Sequence, residues 1–507
     1  MLETLSRALT LSKRELLVLV SAFVLSLPAV TPRIYASDEI QYFSYLRSLW
    51  FDHDMSFENE YRYFFDRNIG RGEGFHATFL EQYTDAGRRP SFATLGSALL
   101  WSPFYAVADL LTRISGGAAD GFSRPYVAAV AYGSAVYGFV AILLSIAAAR
   151  RIAGPGLSAA IVVWLGTPLL FYMYVSPPYS HACSAFAVAL FVTIWLRVRE
   201  RWTASGAVAL GLSGALMAMV REQDVFLALG PAVDFALTFV RGASVIRDDS
   251  VSISQSSRGP TPARGSLALS RSAAAAGAAD TALGINGRQS GTPTIARAIP
   301  IAAAGCFAFA VGLLPQLFAY KALNGHFGPS KLVTRKMNWQ APHALEVLGS
   351  PEHGFFLWTP LAALALAGLV VLVVRGQTPA RRIAACALLM VAVQIYVSGS
   401  VESWTVAGAF GQRRFVALTI LLTIGLAALI AALARTRWRP ALGAVMALCV
   451  WWNVALIAAF GSGLMNRQRL ELRQNAYDAF VTLPRRLPAL ASRYFLDRHS
   501  FYRQQGR

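Results

Sequence analysis

Residues 415–434 read FVALTILLTIGLAALIAALA. These twenty residues carry no charge, and as a helix they would span about 30 Å, the thickness of a bilayer's hydrocarbon core. The flanks are as informative as the run itself. Arg413 and Arg414 precede it, and Arg435, Arg437 and Arg439 follow it. Similar blocks recur along the chain, at 16–34, 125–149, 157–175, 180–197, 204–221, 224–240, 297–320, 354–374, 380–398 and 440–460. The expectation is an all-α polytopic membrane protein with a bundle of about eleven transmembrane helices. Composition agrees: 55% of the 507 residues are hydrophobic and only 14% charged, against about 25% charged in soluble domains.

The net charge of +19 is read as topology rather than as a nucleic-acid footprint. Lys and Arg cluster in short connections between apolar blocks, as orientation by positive charge requires. Four connections (150–151, 197–201, 375–382 and 435–439) hold eleven basic residues between them, while the later connections on the other side (221, 321–353 and 399–414) hold seven over longer stretches. This bias survives only if one further apolar block, 91–112, which contains Pro103 and Asp109, does not cross. It is therefore expected to be an interfacial or re-entrant pair of short helices. Asp38, the 176–181 turn (SPPYSH), and the loops 321–353 and 399–414 then share the outer face. The four cysteines, Cys183, Cys306, Cys386 and Cys449, lie in apolar segments with no paired spacing, and are expected to be small core residues.

The expected domains are an N-terminal bundle at 1–240 with an outer loop at 35–90, a linker at 241–296, a C-terminal transmembrane bundle at 297–460, and a basic amphipathic outer tail at 461–507. The linker is rich in Ser, Ala, Gly, Thr and Pro and nearly free of aromatics. Such a composition cannot bury enough apolar area to order itself.

The outer loop is the most polar ordered stretch and opens with YASDEIQYFSYLRSLWFDHDMSFENEY. Asp38 and Glu39 directly follow the first apolar block. On a helix their side chains diverge by about 100°, so one faces a substrate and the other supports it. The same pair could also cap the helix that follows. Arg413 and Arg414 lie on the outer face, where few cations are expected, and Arg suits a bidentate phosphate contact. Lys331 and Arg335 are second candidates for that contact. His181, Tyr179, His353, Glu402 and Trp404 are candidate substrate contacts at the same face. Asp52, His53, Asp54 and Glu58 are close in sequence but match no standard metal-ligand spacing. A divalent metal stays an open alternative but none is predicted, and the cofactor is unknown.

Several stretches together resemble the GT-C membrane glycosyltransferases, in particular the bacterial protein O-mannosyltransferase and aminoarabinose-transferase-like branch. These are the acidic pair after the first span, DHDMSFENEY (52–61), TPLLFYMYVSPPYSHACSAF (167–186), HGFFLWTP (353–360) and GAFGQRRF (408–415). The likeness covers most of 16–460 apart from the linker. It implies a polyprenyl-phosphate-linked sugar donor, a glycan, lipid or protein acceptor, no nucleic acid, and a multi-pass protein of the bacterial inner membrane with its site facing the periplasm. It also implies that Asp38 is the general base, that Glu39 orients it or binds acceptor, and that transfer inverts the anomeric carbon. Two other readings stand beside it: a transporter or lipid-linked saccharide flippase, and a non-catalytic saccharide-binding subunit. A transporter would want ionisable residues near the midplane of several spans, and these blocks are nearly free of charge.

Overall fold

A computed structural model describes residues 11–70, 74–240 and 295–498. The expected linker falls almost wholly outside the described residues, as does the end of the tail. The described chain is helical, and seven of its helices are long and apolar enough to cross a membrane. These are α5 (Arg124–Ile152), α8 (His181–Val198), α10 (Glu222–Val240), α11 (Ala296–Asn324), α13 (Thr378–Ser400), α14 (Arg413–Leu433) and α15 (Arg439–Ser462). Others are apolar but shorter: α1 (Lys13–Ser26), α6 (Gly156–Gly166), α9 (Ala204–Val220) and α12 (Leu361–Arg375). The polar layer at one end contains α2 (Ser37–Arg47), α3 (Glu58–Asp66) and α4 (Gly96–Ile114), and the described chain closes with α16 (Leu483–Leu496).

Prolines explain why three expected spans come out short. The first block stops at Ser26 because Pro28 forces a single 3-10 turn and the chain then runs extended past Pro32. The 157–175 block breaks at Thr167–Pro168 into α6 and α7 (Leu169–Tyr174). The 354–374 block breaks at Thr359–Pro360, after a short turn Phe355–Trp358. Each break frees backbone carbonyls, which are costly to bury unpaired. Helix α15 supplies the missing donors: Asn453 Nδ2 donates to the carbonyls of Leu165 (2.8 Å) and Thr167 (3.0 Å), and Trp452 Nε1 to that of Leu357 (3.1 Å).

The described residues of 11–240 and 297–460 pack as one interleaved bundle. Helix α11 lies along α9, and α14 lies against α5, α6, α8 and α12. Glycines permit the closest approaches. A Cβ at Gly368 would fall 1.8 Å from the Gly425 carbonyl oxygen, and one at Gly425 2.1 Å from that of Ala365. Neither neighbour can yield without parting α12 from α14. Gly368→Val is therefore expected to cost at least about 1–3 kcal/mol, seen as a lower melting temperature in detergent. An unchanged melt would show that the two helices are free to separate.

The two ends of the bundle differ in character. Arg150, Arg151, Arg199 and Arg382 gather at one end. Arg150 pairs with Glu15 at 2.5 Å, Arg151 with Glu200, and Arg199 and Arg382 share Asp234. Loops and short helices build the other end. The 91–112 stretch forms a single continuous helix, α4, rather than the expected pair. Pro103 cannot donate to the Leu99 carbonyl, but the Ser102 hydroxyl does so instead, at 2.8 Å, and the helix continues. Both ends of α4 meet the polar layer. At its start the Phe92 N–H donates to Gln41 Oε1 (2.7 Å). Near its end Asp109 accepts from Trp50 (3.3 Å) and Tyr126 (2.7 Å). Just beyond it, Phe122 stacks on Tyr63 at 3.9 Å. Helix α4 thus runs alongside α2 and its continuation.

The tail folds back over the bundle. Tyr494 Oη donates to the Ala29 carbonyl (2.7 Å), and Arg498 donates to those of Val30 and Pro28 (2.7 Å each). Helix α16 thereby walls an apolar chamber of about 650 Å³, lined also by Trp164, Phe171, Tyr174, Ile457 and Phe460.

Candidate functional site

A second cavity, of about 440 Å³, opens in the loop-rich end. Six segments far apart in sequence line it, among them residues 92–94 just before α4. Helix α2 contributes Asp38, Gln41 and Tyr42; the 176–181 turn contributes Tyr179, Ser180 and His181; the start of α10 contributes Glu222 and Gln223 beside Arg221. The 329–339 loop contributes Lys336, Met337 and Trp339, and the 401–414 stretch contributes Ser403, Arg413 and Arg414.

Asp38 and Glu39 take opposite directions from α2. Asp38 faces the cavity, where its carboxylate lies 2.6 Å from Arg413 Nη1. Glu39 is fully buried behind it. Its carboxylate accepts from the backbone N–H groups of Tyr35 (2.8 Å) and Ala36 (3.1 Å), satisfying donors that the first helical turn leaves free. Its other oxygen accepts from Ser176 Oγ at 2.7 Å. Glu39 therefore caps α2 and fastens it to the 176–181 turn, which sets the direction in which Asp38 points. It does not line the cavity, so an acceptor-binding role does not fit its position.

Burial pushes the Glu39 carboxyl up to about 7, outweighing three hydrogen bonds that favour its anion. The unfolded chain releases this proton near 4.5. The folded state therefore holds the proton more tightly, and the stabilisation is complete below that value and lost as pH rises through about 7. Glu39→Gln keeps an acceptor for the two N–H groups but cannot ionise. Its melting temperature is expected to fall less than that of wild type between about pH 5 and pH 8. Parallel melting profiles would remove this account. Glu39→Ala strands the donors and is expected to cost about 1–3 kcal/mol.

Two long-range ties bring the arginines to Asp38. Tyr172 Oη donates to the Phe410 carbonyl (3.1 Å) and accepts from the Phe410 N–H (3.2 Å), joining the 167–186 unit to the 408–415 loop. Gly411 adopts φ +61°, and a Cβ there would sit 2.8 Å from Pro168 Cγ. The loop therefore needs glycine both for its backbone and for its contact. Beyond it, the Arg413 guanidinium lies 5.4 Å over the Tyr179 ring. Arg414 donates to Ser403 Oγ (3.2 Å) and to the Ser398 carbonyl (3.5 Å). His181, nearly buried, accepts at Nδ1 from Arg221 Nη1 at 2.5 Å and stacks on Tyr179.

Besides Glu39, five expected site residues lie outside this cavity. Lys331 is on the surface, paired with Asp85 at 2.5 Å. Arg335 is exposed just past the short helix Lys331–Thr334, and its neighbour Lys336 takes the cavity position. The Glu402 side chain is exposed, and its backbone N–H donates to the Lys336 carbonyl (2.7 Å) beside the bridge joining Met337 to Val401. Trp404 stacks on His343 and accepts from Gln412 through its carbonyl. His353 is fully buried, stacked on Trp358, and donates from Nε2 to the Ala409 carbonyl at 2.8 Å. Burial holds its imidazole down to about 4, so at neutral pH it is an uncharged anchor for the 401–412 loop.

The acidic run after α2 is consumed by its own fold. Asp52 pairs with Arg47 and accepts from Asn59, Asp54 accepts from Ser48 and Ser56, and Glu58 pairs with Arg62 and Arg89. Among the described residues no group of three His, Cys, Asp or Glu side chains is placed to hold a metal ion.

Arg221, Glu222 and Asp224 are close neighbours in sequence. The structure separates the three. Arg221 meets His181, Glu222 accepts from Tyr320 Oη, and Asp224 accepts from Ser184 Oγ at 2.6 Å. The available signal was four polar residues, REQD at 221–224, interrupting two apolar blocks.

Fold and site together define a polytopic α-helical membrane protein with an arginine-rich polar cavity at its loop-rich end. No family model matches the chain, and no curated protein matches it.

Proposed function

We propose that the protein is an integral-membrane inverting glycosyltransferase that takes a sugar from a polyprenyl-phosphate carrier. Transfer to the acceptor takes place on the periplasmic face of a bacterial inner membrane. The observation that carries this reading is Asp38 held at 2.6 Å from Arg413 in one cavity that Arg414 and Tyr179 also line. A carboxylate able to take a proton thus stands beside two cations able to take a phosphate.

The chemistry follows from those groups. The acceptor's hydroxyl or amine attacks the anomeric carbon, and its proton passes to Asp38. The bond from that carbon to the phosphate oxygen breaks, and polyprenyl phosphate departs. The leaving group is already an ionised phosphate, so it needs little acid assistance. The base need only be charged and within hydrogen-bond reach. A guanidinium has five N–H donors, so Arg413 can keep one on Asp38 while Arg413 and Arg414 turn others to the phosphate. These charge-assisted contacts strengthen as charge develops on the leaving oxygen. Displacement from the face opposite the phosphate inverts the anomeric centre. The apolar spans bracket the site, as a lipid-borne donor needs.

The test supplies the purified protein in proteoliposomes with a panel of polyprenyl-phosphate sugars and an envelope extract as acceptor, and measures released polyprenyl phosphate. Release with at least one donor is expected. Failure to release polyprenyl phosphate from any of them would sink the reading.

A further inference from the structure

The cavity holds more positive charge than one phosphate needs. Arg221, Lys336, Arg413 and Arg414 line it against two carboxylates, Asp38 and Glu222. Asp38 already neutralises Arg413, and Glu222 is occupied by Tyr320. The other two arginines rest on neutral groups. Arg414 meets the Ser403 hydroxyl and the Ser398 carbonyl, and Arg221 meets the His181 ring. Arg221 Nε is buried with no hydrogen-bond partner. Among the described residues no carboxylate forms an ion pair with either guanidinium. Asp224, three residues along, accepts from Ser184 instead.

The seat of Arg221 matters as much as its charge. His181 accepts from Arg221 at Nδ1, so that nitrogen carries no proton, and the ring braces the guanidinium without neutralising it. The Tyr179 and Tyr172 rings hold the imidazole from two sides. A braced cation with an idle buried N–H is costly unless an anion completes it. We propose that Arg221, seated on His181, is a second anion-binding subsite that takes a phosphoryl group, separate from the phosphate site at Arg413 and Arg414. Its assignment as second rests on the glycosyltransferase reading; the subsite itself rests on Arg221 and His181. The phosphoryl group belongs either to a diphosphate carrier or to an anionic acceptor.

The test uses the full-length protein in phosphatidylcholine nanodiscs, where no lipid carries net charge. Binding of inorganic pyrophosphate, polyprenyl monophosphate and polyprenyl diphosphate is measured for wild type, Arg221→Gln, Arg221→Lys and Arg413→Gln. Pyrophosphate is expected to bind wild type, to weaken about tenfold or more in Arg221→Gln, and to recover to within about threefold in Arg221→Lys. If the subsite serves the donor, diphosphate binds about tenfold tighter than monophosphate, and Arg221→Gln erases that gap. If it serves the acceptor, the two carriers bind alike, and pyrophosphate still binds protein saturated with monophosphate. The subsite is overturned if wild type binds no pyrophosphate, or if Arg221→Gln binds it unchanged. It is also overturned if the lysine and glutamine variants lose it alike, because the arginine then acts by packing His181 rather than by charge. Monophosphate binding that survives Arg413→Gln strikes the donor reading instead, so the two failures can be told apart.

Discussion

Asp38→Asn is expected to lower sugar transfer by about 10²–10⁴-fold, the range general-base catalysis contributes, while leaving donor binding intact. Asparagine keeps the shape of the side chain and can still accept from Arg413 through its amide oxygen, but it cannot take the acceptor's proton at neutral pH. Donor affinity should hold or rise, because Arg413 loses a competing anion 2.6 Å away. Initial rates and equilibrium binding of a polyprenyl-phosphate sugar, measured on the same preparation, separate the two effects. Transfer within about fivefold of wild type would remove Asp38 as base. Loss of donor binding would instead mean that Asp38 holds Arg413 in place for the phosphate.

The second large effect lies at the opposite end of the bundle. Asp234 is fully buried in α10: Trp195 Nε1 and Arg199 Nε each donate to its carboxylate at 2.9 Å, and the Arg382 guanidinium forms an ion pair with it at 2.5 Å. One carboxylate thus joins α8, α10 and α13. Removing it in Asp234→Ala leaves two guanidiniums facing each other with little water to separate them. A loss of about 3–5 kcal/mol is expected, as when one member of a buried ion pair is deleted. The readout is a lower melting temperature and faster aggregation on extraction. Asp234→Asn retains an acceptor but no charge and should fall between. A variant that melts like wild type would show that the arginines can reach solvent, and that the cluster fastens nothing.

The helical architecture was legible because its signals are local. A twenty-residue apolar run needs no partner to declare itself, and Ser12 with Glu15 forms a capping box at the start of α1. The breaks at Pro28, Pro168 and Pro360 were visible as residues, but their consequence was not. Whether a proline ends a span depends on who satisfies the freed carbonyls, and here the donors lie far along the chain: Tyr494 and Arg498 at Pro28, Asn453 at Pro168 and Trp452 at Pro360. At Pro103 the donor is the adjacent Ser102, and the helix runs on.

The site was legible in part for the same reason. Asp38, His181, Tyr179, Arg413 and Arg414 could be nominated from residue type and from their place at the ends of apolar blocks, and all five line one cavity. His353 sits in an equally suggestive position and is a buried strut. Lys331 looks as available as Lys336, yet only the latter, past the short helix, borders the cavity. Within the adjacent acidic pair, a rotation of about 100° per residue decides which carboxylate meets Arg413 and which meets Ser176.

Taken alone, then, the sequence determined the helical bundle, the ends at which its polar residues collect, and the residue types from which a phosphate-and-base site could be built. Those depend on hydropathy, charge and spacing, which are read along the chain. The tertiary structure decided the pairings: Asp38 with Arg413, Arg221 with His181, and Glu39 turned away to cap its own helix. Each pairing depends on the azimuth of a side chain and on a partner contributed by a distant helix, and no local signal encodes either.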